Sequence, residues 1–113
     1  MSHSDLELVK HIYDECAYIL SSTRKITIEK LTADPTLRRA IERSLEIIGE
    51  ACKRIDADFK SSYPEVAWKE MAGTRDVIIH NYTGIDYGIV WQIIQNEIPE
   101  LEYQLKNILS ENK

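Results

Sequence analysis

The sequence predicts an all-α fold, a four-to-five-helix up-down bundle, and three observations predict it. Apolar residues recur at three- and four-residue spacing along most of the chain, the period of one helical face. The four glycines and three prolines fall mainly where one such stretch gives way to the next. Repeats, low-complexity tracts and strand-like alternation are absent from the pattern. A chain of 113 residues has room for one core, so residues 1–113 read as a single domain. A bundle of this size buries limited area, and the breadth of its apolar stripes points to a homodimer.

The first helix runs from about residue 4 to 22, with Leu6, Val9, Tyr13, Cys16, Ala17 and Leu20 on its apolar face. Ser4 is its N-cap, and Glu7 three residues on completes a capping box. Ser21-Ser22-Thr23 breaks it, and a short helical turn follows over residues 27–33. Asp34 caps a second long helix with Pro35 at its first position, where the missing N–H has no cost. Leu37, Ala40, Ile41, Ser44, Leu45, Ile47, Ile48, Ala51, Cys52 and Ile55 form its stripe, which fades near Asp56.

Ser61-Ser62-Tyr63-Pro64 is a loop that opens a third helix with Val66, Ala67, Met71, Val77 and Ile78 inward. Gly73 within it marks a kink or a second start at Thr74, and Thr83-Gly84 ends it. Asp86 begins the last helix, with Ile89, Val90, Ile93, Ile94, Glu97, Leu101, Leu105 and Ile108 in register. Pro99 lies in its interior, so a bend is expected there.

Bulk properties narrow the function. No apolar run approaches a spanning length, and the polar start has no signal-like core, which makes the cytoplasm the expected location. Cys16 and Cys52 sit among apolar neighbours and read as buried reduced thiols. His3, His11 and His80 do not pair with them at metal-ligand spacing, so no metal site is expected. The net charge of −5 argues against a general nucleic-acid binder, since backbone binding rests on clustered cations. Residues 35–57 nevertheless carry Arg38, Arg39, Arg43, Lys53 and Arg54 against Glu42, Glu46, Glu50 and Asp56. A local basic strip on an acidic body would suit a small, defined RNA site.

The segment 75–82 concentrates the chemistry: Arg75, Asp76, His80, Asn81 and Tyr82 within eight residues that otherwise read as helix. On a helix Arg75 and Tyr82 share a face, as do Asp76 and His80, while Arg75 and His80 diverge by about 140°. Arg is a fixed cation suited to phosphate, and His moves protons near neutral pH. Asp76 could hold the imidazole in one tautomer, and Asn81 could serve instead. Together these groups suit phosphodiester chemistry. The bland alternative is a surface Arg, a capping His and a Tyr packed at a helix end.

Arg75-x4-His80-x-Tyr82, with a polar residue directly after the Arg, resembles the signature of the HEPN superfamily, specifically its HepT-like branch. Residues 34–51, Pro64 through Trp68 upstream of the motif and Gly84 to Leu101 downstream are similar to that branch too, so the resemblance covers nearly the whole chain. It implies a HEPN-like bundle that dimerises, and a metal-independent endoribonuclease, the toxin of a type VII toxin–antitoxin pair. Arg75 would stabilise charge on the scissile phosphate, and His80 would move the proton at the 2′-hydroxyl or the leaving 5′-oxygen. RNA's own 2′-OH would be the nucleophile, so DNA should not be cut. Two facing copies would let one chain's Arg75 meet the other's His80.

The resemblance also implies a partner, a cognate minimal nucleotidyltransferase antitoxin that transfers AMP from ATP to Tyr82. ATP would then serve the partner, and this chain would need no cofactor. Added charge and bulk beside Arg75 and His80 would exclude RNA. The bland reading of Tyr82 is a ring packed at a helix end.

Arg39, Arg43, Glu46 and Glu50 follow one another at three- and four-residue steps along one face. The arginines could hold RNA or an acidic partner, and Glu46 or Glu50 could position Arg75. Arg38 and Glu42 read as a solvated, salt-bridged face. Trp68, Trp91, Tyr13, Tyr18 and Tyr103 read as core or dimer interface, and Tyr87 as a residue that could line the cleft. Two other functions remain in play: a non-catalytic HEPN subunit that binds and is modified by its nucleotidyltransferase, and a helical scaffold that only dimerises.

Overall fold

The computed structural model describes residues 4–80 and 84–112, apart from the side chain of His80. Asn81 and Tyr82 lie outside the described residues. Eight α-helices follow in order among these: α1 (Asp5–Thr23), α2 (Ile28–Ala33), α3 (Pro35–Arg54), α4 (Ala57–Ser62), α5 (Trp68–Ala72), α6 (Thr74–Ile78), α7 (Tyr87–Gln92) and α8 (Ile98–Glu111). A two-residue antiparallel ladder, β1 (Ile79–His80) with β2 (Gly84–Ile85), lies between α6 and α7. Local chemistry starts the long helices where the sequence predicts. Ser4 and Glu7 make the reciprocal capping box, Asp34 accepts the Leu37 N–H at 3.1 Å, and Asp86 accepts the Ile89 N–H at 3.1 Å.

The core sits where α1 and α8 pack against each other and α3 packs against α1 and α5. Ile12 and Ile19 of α1, Ile41, Leu45 and Ile48 of α3, and Ile94, Ile98, Leu105 and Ile108 of the last segment are fully buried. Burying each such side chain stabilises the fold by roughly 1.5–3 kcal/mol before conformational entropy is counted. The buried stripe of α1 is Leu8, Val9, Ile12, Cys16 and Ile19, rotated from the expected one; Leu6, Tyr13 and Leu20 lie at its half-buried edge. Both cysteines are free and buried. Among the described residues no helix is long and apolar enough to cross a membrane.

The third expected helix is two five-residue helices, α5 and α6, with Gly73 between them. Gly lowers helix stability, and the buried Thr74 hydroxyl turns back to the Glu70 carbonyl at 3.2 Å. The β-branched run Val77-Ile78-Ile79 then favours extended backbone, and the chain leaves the helix at Ile78. Val77 and Ala67, expected inward, are exposed. The sequence pattern does not predict the short helix α4. Nothing on it is buried; Phe59 packs at its edge, 5.1 Å from the Tyr63 ring and 6.4 Å from the Trp68 ring.

The bend expected at Pro99 takes the form of a π-helical turn, Ile93–Glu97, between α7 and α8. Ile98 N–H reaches back five residues to the Ile93 carbonyl. Pro99 has no N–H and its ring crowds the carbonyl four residues earlier, so the helix widens just before it.

Candidate functional site

Three contacts place the motif segment. Gly49 of α3 faces α5 so closely that a Cβ there would lie 3.3 Å from the Met71 carbonyl oxygen and 3.5 Å from that of Ala72. A larger residue would push α5 away, and α6 with it. At the other end, the Asp86 N–H donates to the Ile78 carbonyl at 2.7 Å. Between them the β1/β2 ladder pairs Ile79 with Ile85 and His80 with Gly84. Gly84 has φ +96°, a conformation that favours glycine.

This geometry replaces the helical wheel for the motif. Arg75 and Asp76 are on α6, exposed to solvent, whereas His80 belongs to β1. The four-residue helical register expected for Asp76 and His80 therefore does not apply, because the helix ends two residues before His80. Likewise the angle of about 140° between Arg75 and His80 holds only for a continuous helix.

Arg75 lines a cavity of about 180 Å³ with Glu42 and Glu46 of α3 and Ile78, Ile79 and Ile85. The structure thus brings Glu46 to the Arg75 site and leaves Glu50 away from it. Glu50 lies in a separate groove between α1 and α3 and is 3.7 Å from Lys53. Arg43 lines that same groove and pairs with Glu46 at 2.8 Å, so it links the two depressions across α3. Arg39 is exposed, and its charge is felt by the Tyr87 hydroxyl. The face expected to carry Arg39, Arg43, Glu46 and Glu50 together is divided among three surroundings.

Two residues that the sequence pattern assigns to a solvated face have tertiary partners: Glu42 walls the Arg75 cavity, and Arg38 packs beside it on Tyr87. The Tyr87 hydroxyl donates to Glu42 Oε2, and the Arg38 guanidinium lies over the Tyr87 ring at 5.8 Å. Arg38 also donates to the Thr32 carbonyl, holding α2 to α3. Burial pushes the Tyr87 hydroxyl up to about 12; its hydrogen bond to Glu42 and that carboxylate's charge add to the rise, while Arg38 and Arg39 oppose it. The half-buried Tyr87 therefore stays a neutral donor. Sequence spacing could not reveal this contact, since 45 residues separate the partners.

Other aromatic expectations divide. Trp68 is buried with its Nε1 donating to the Tyr63 carbonyl at 3.0 Å, and Trp91 packs half-buried on the core. Tyr18 and Tyr103 are exposed in the single chain. Among the described residues no group of three or more His, Cys, Asp or Glu side chains is placed to hold a metal ion.

Residues 12–108 match the family model described as ribonuclease HepT-like. The chain is 47% identical over 105 residues to "Putative RNase TTE0752" of Caldanaerobacter subterraneus subsp. tengcongensis, covering 93% of this chain and 94% of that one. It is 41% identical over 99 residues to a similarly named protein of Methanocaldococcus jannaschii, covering 84% and 82% of the two chains. A "Probable ribonuclease HepT" of Thermococcus cleftensis is 37% identical over 108 residues, covering 96% and 98%. No solved structure matches.

Proposed function

This chain belongs to the ribonuclease HepT-like family, and from that membership we propose that it is a metal-independent endoribonuclease toxin acting through Arg75 and His80. The observation that carries the reading is the placement of Arg75. Its guanidinium is exposed at a concave site one turn before the strand that carries His80. There it can grip a scissile phosphate and offset the negative charge that grows on it. His80 takes the proton of the ribose 2′-hydroxyl or returns one to the leaving oxygen. The 2′-oxygen bonds to phosphorus as the P–O5′ bond breaks, and the products are a 2′,3′-cyclic phosphate and a 5′-hydroxyl. Because the nucleophile is part of the substrate, the reaction requires neither metal nor external water.

A second copy completes the site in this reading. Val77 and Ile79, which lie between Arg75 and His80, are 55% and 38% exposed. They offer the second copy an apolar seat that brings one chain's Arg75 toward the other's His80. Tyr82 is the control point: its phenolic oxygen attacks the α-phosphorus of ATP on a partner nucleotidyltransferase, pyrophosphate leaves, and the bound AMP repels RNA. One observation favours the non-catalytic reading instead. Glu42 and Glu46 wall the Arg75 cavity, and carboxylates there oppose a polyanion.

The test is cleavage of a mixed tRNA and single-stranded RNA pool in EDTA, with wild type and His80→Ala made free of any antitoxin and checked by mass for AMP. Cutting that leaves cyclic-phosphate ends and is lost in the variant is the expected result. A folded, unmodified dimer that cuts no RNA would leave the non-catalytic subunit as the better reading.

A further inference from the structure

We propose that the groove between α1 and α3 is a second RNA-backbone subsite, holding phosphates of the strand away from the scissile bond through His11, Arg43 and Arg54. The proposal rests on the nuclease reading for its substrate class and assigns a surface that reading leaves unused. The groove has a volume of about 280 Å³, and Leu8, Ile47 and Ala51 form its apolar part while His11, Arg43, Arg54 and Glu50 supply its polar lining. The acid is partly offset by Lys53, 3.7 Å from Glu50. Glu46 pairs with Arg43, and Glu15 lies 3.9 Å from His11. In a chain of net charge −5 the excess is therefore one positive charge among the groove's own lining, Arg43 and Arg54 against Glu50.

Helical geometry explains why these cations act together. Arg43 and Arg54 are eleven residues apart, which brings them within about 20° of the same face of α3 and separates them by roughly 16 Å along its axis. Two fixed cations so placed suit phosphates roughly two or three nucleotides apart on an extended strand, and Arg offers the forked donors that phosphate favours. The apolar lining gives a sugar or base edge somewhere to lie. The groove is too small to seat a helix, which favours a strand of nucleic acid over a folded partner.

Position relative to Arg75 is the second argument. Glu46 lines the Arg75 cavity, Arg43 lines the groove, and the two side chains are joined at 2.8 Å across α3. A strand lying in the groove can therefore pass over Arg43 into the Arg75 site. The Arg43–Glu46 pair is largely exposed, 66% and 41% at the side chains, and exposed pairs of this kind are weak enough to be exchanged for a phosphate. Glu46 then acts as a placeholder for that phosphate and keeps Arg43 aligned between encounters.

The experiment measures binding of the full chain to a fluorescent single-stranded 2′-O-methyl RNA oligomer, which cannot be cut, across a series of salt concentrations. Wild type is compared with Arg43→Ala/Arg54→Ala and with Lys106→Ala on α8 as a control. The double variant is expected to bind at least tenfold more weakly at low salt. The slope of log K against log salt should fall by about 1.4, which is about 0.7 for each phosphate that the variant leaves without a cation. The control should match wild type, and thermal melting should be unchanged because both arginines are exposed. Unchanged affinity and slope in the folded double variant would overturn the subsite, as would an equal loss in the control. Because no cleavage is read, the outcome stands whether or not His80→Ala abolishes nuclease activity, so the two proposals fail separately.

Discussion

The Tyr87 hydroxyl donates to the Glu42 carboxylate and so ties the first turn of α7 to the middle of α3, on the wall of the cavity that Arg75 lines. The motif helix α6, its ladder and the supporting helix are thereby closed into one unit. Arg38 lies over the Tyr87 ring beside this contact.

That contact predicts a pH dependence. The Tyr87 hydroxyl is raised from its ordinary value near 10 to about 12, so the folded state holds this proton more tightly than the unfolded chain. The associated stability is present below pH 10 and lost as pH rises toward 12. Tyr87→Phe should remove this part of the alkaline loss and lower the melting temperature at pH 7. Spectrophotometric titration of tyrosinate checks it: one late-titrating phenol should disappear in Tyr87→Phe and titrate earlier in Glu42→Gln.

Arg75→Lys separates charge from geometry. Lysine keeps the positive charge but loses the planar fork, so cleavage should fall by roughly tenfold to a hundredfold. Arg75→Ala should cost on the order of 10²–10³. Neither should move the melting temperature by more than about 2 °C, since exposed substitutions of this kind typically cost within about 0.5 kcal/mol. Steady-state kinetics beside calorimetry decides it; comparable losses of stability and activity would make Arg75 a structural residue.

Gly49 governs the approach of α5 to α3. Alanine improves helix propensity by about 1 kcal/mol, but its Cβ meets backbone carbonyls that cannot swing aside. The two effects nearly cancel, with a net cost of up to about 1 kcal/mol. Gly49→Val loses the propensity gain and crowds further, costing about 3 kcal/mol. Urea denaturation measures both, and a valine variant as stable as wild type would show that α5 can move away from α3.

Cys16 and Cys52 should resist alkylation in the native state. Burial pushes both thiols up, Cys52 to about 12, so almost no thiolate exists at pH 8 and little of either side chain reaches solvent. Iodoacetamide labelling followed by intact mass should show no modification until denaturant is added. The same shift has a stability consequence. The Cys52 contribution is present below pH 9 and fades as pH rises toward 12, in the range where Tyr87 also titrates.

Where local chemistry decides structure, the sequence is legible. Ser4 with Glu7, Asp34 with Pro35, and Asp86 announce helix starts, because a cap needs only the next few residues. The stripe of α3 reads correctly because one face of a long helix is buried for most of its length. Over residues 64–85 the periodicity misleads, for a reason of the same kind. Val77, Ile78 and Ile79 fit a helical stripe and a strand equally well, and the choice rests on Gly84 and Ile85 pairing back from the next strand. Helix α4 leaves no signal, having no buried stripe to detect.

By itself the sequence determined the helical class, the caps, most of the core residues on α3, Leu101, Leu105 and Ile108 on α8, and the motif Arg75-x4-His80 with its resemblance to a nuclease family. These follow from chemistry within one or two helical turns. The same periodicity places the exposed Glu97 in the last stripe and misses the buried Ile98, because the π-helical turn shifts the register there. Only the tertiary structure decided which charges on α3 belong together: Glu42 with Tyr87, Glu46 with the Arg75 cavity, Arg43 and Arg54 with the groove along α1. A helical wheel orders side chains around one axis. What each side chain does depends on the neighbouring element it faces: Glu42 and Glu46 meet Arg75 and Ile85 from a distant part of the chain to wall this cavity, and the Tyr87 hydroxyl donates to Glu42.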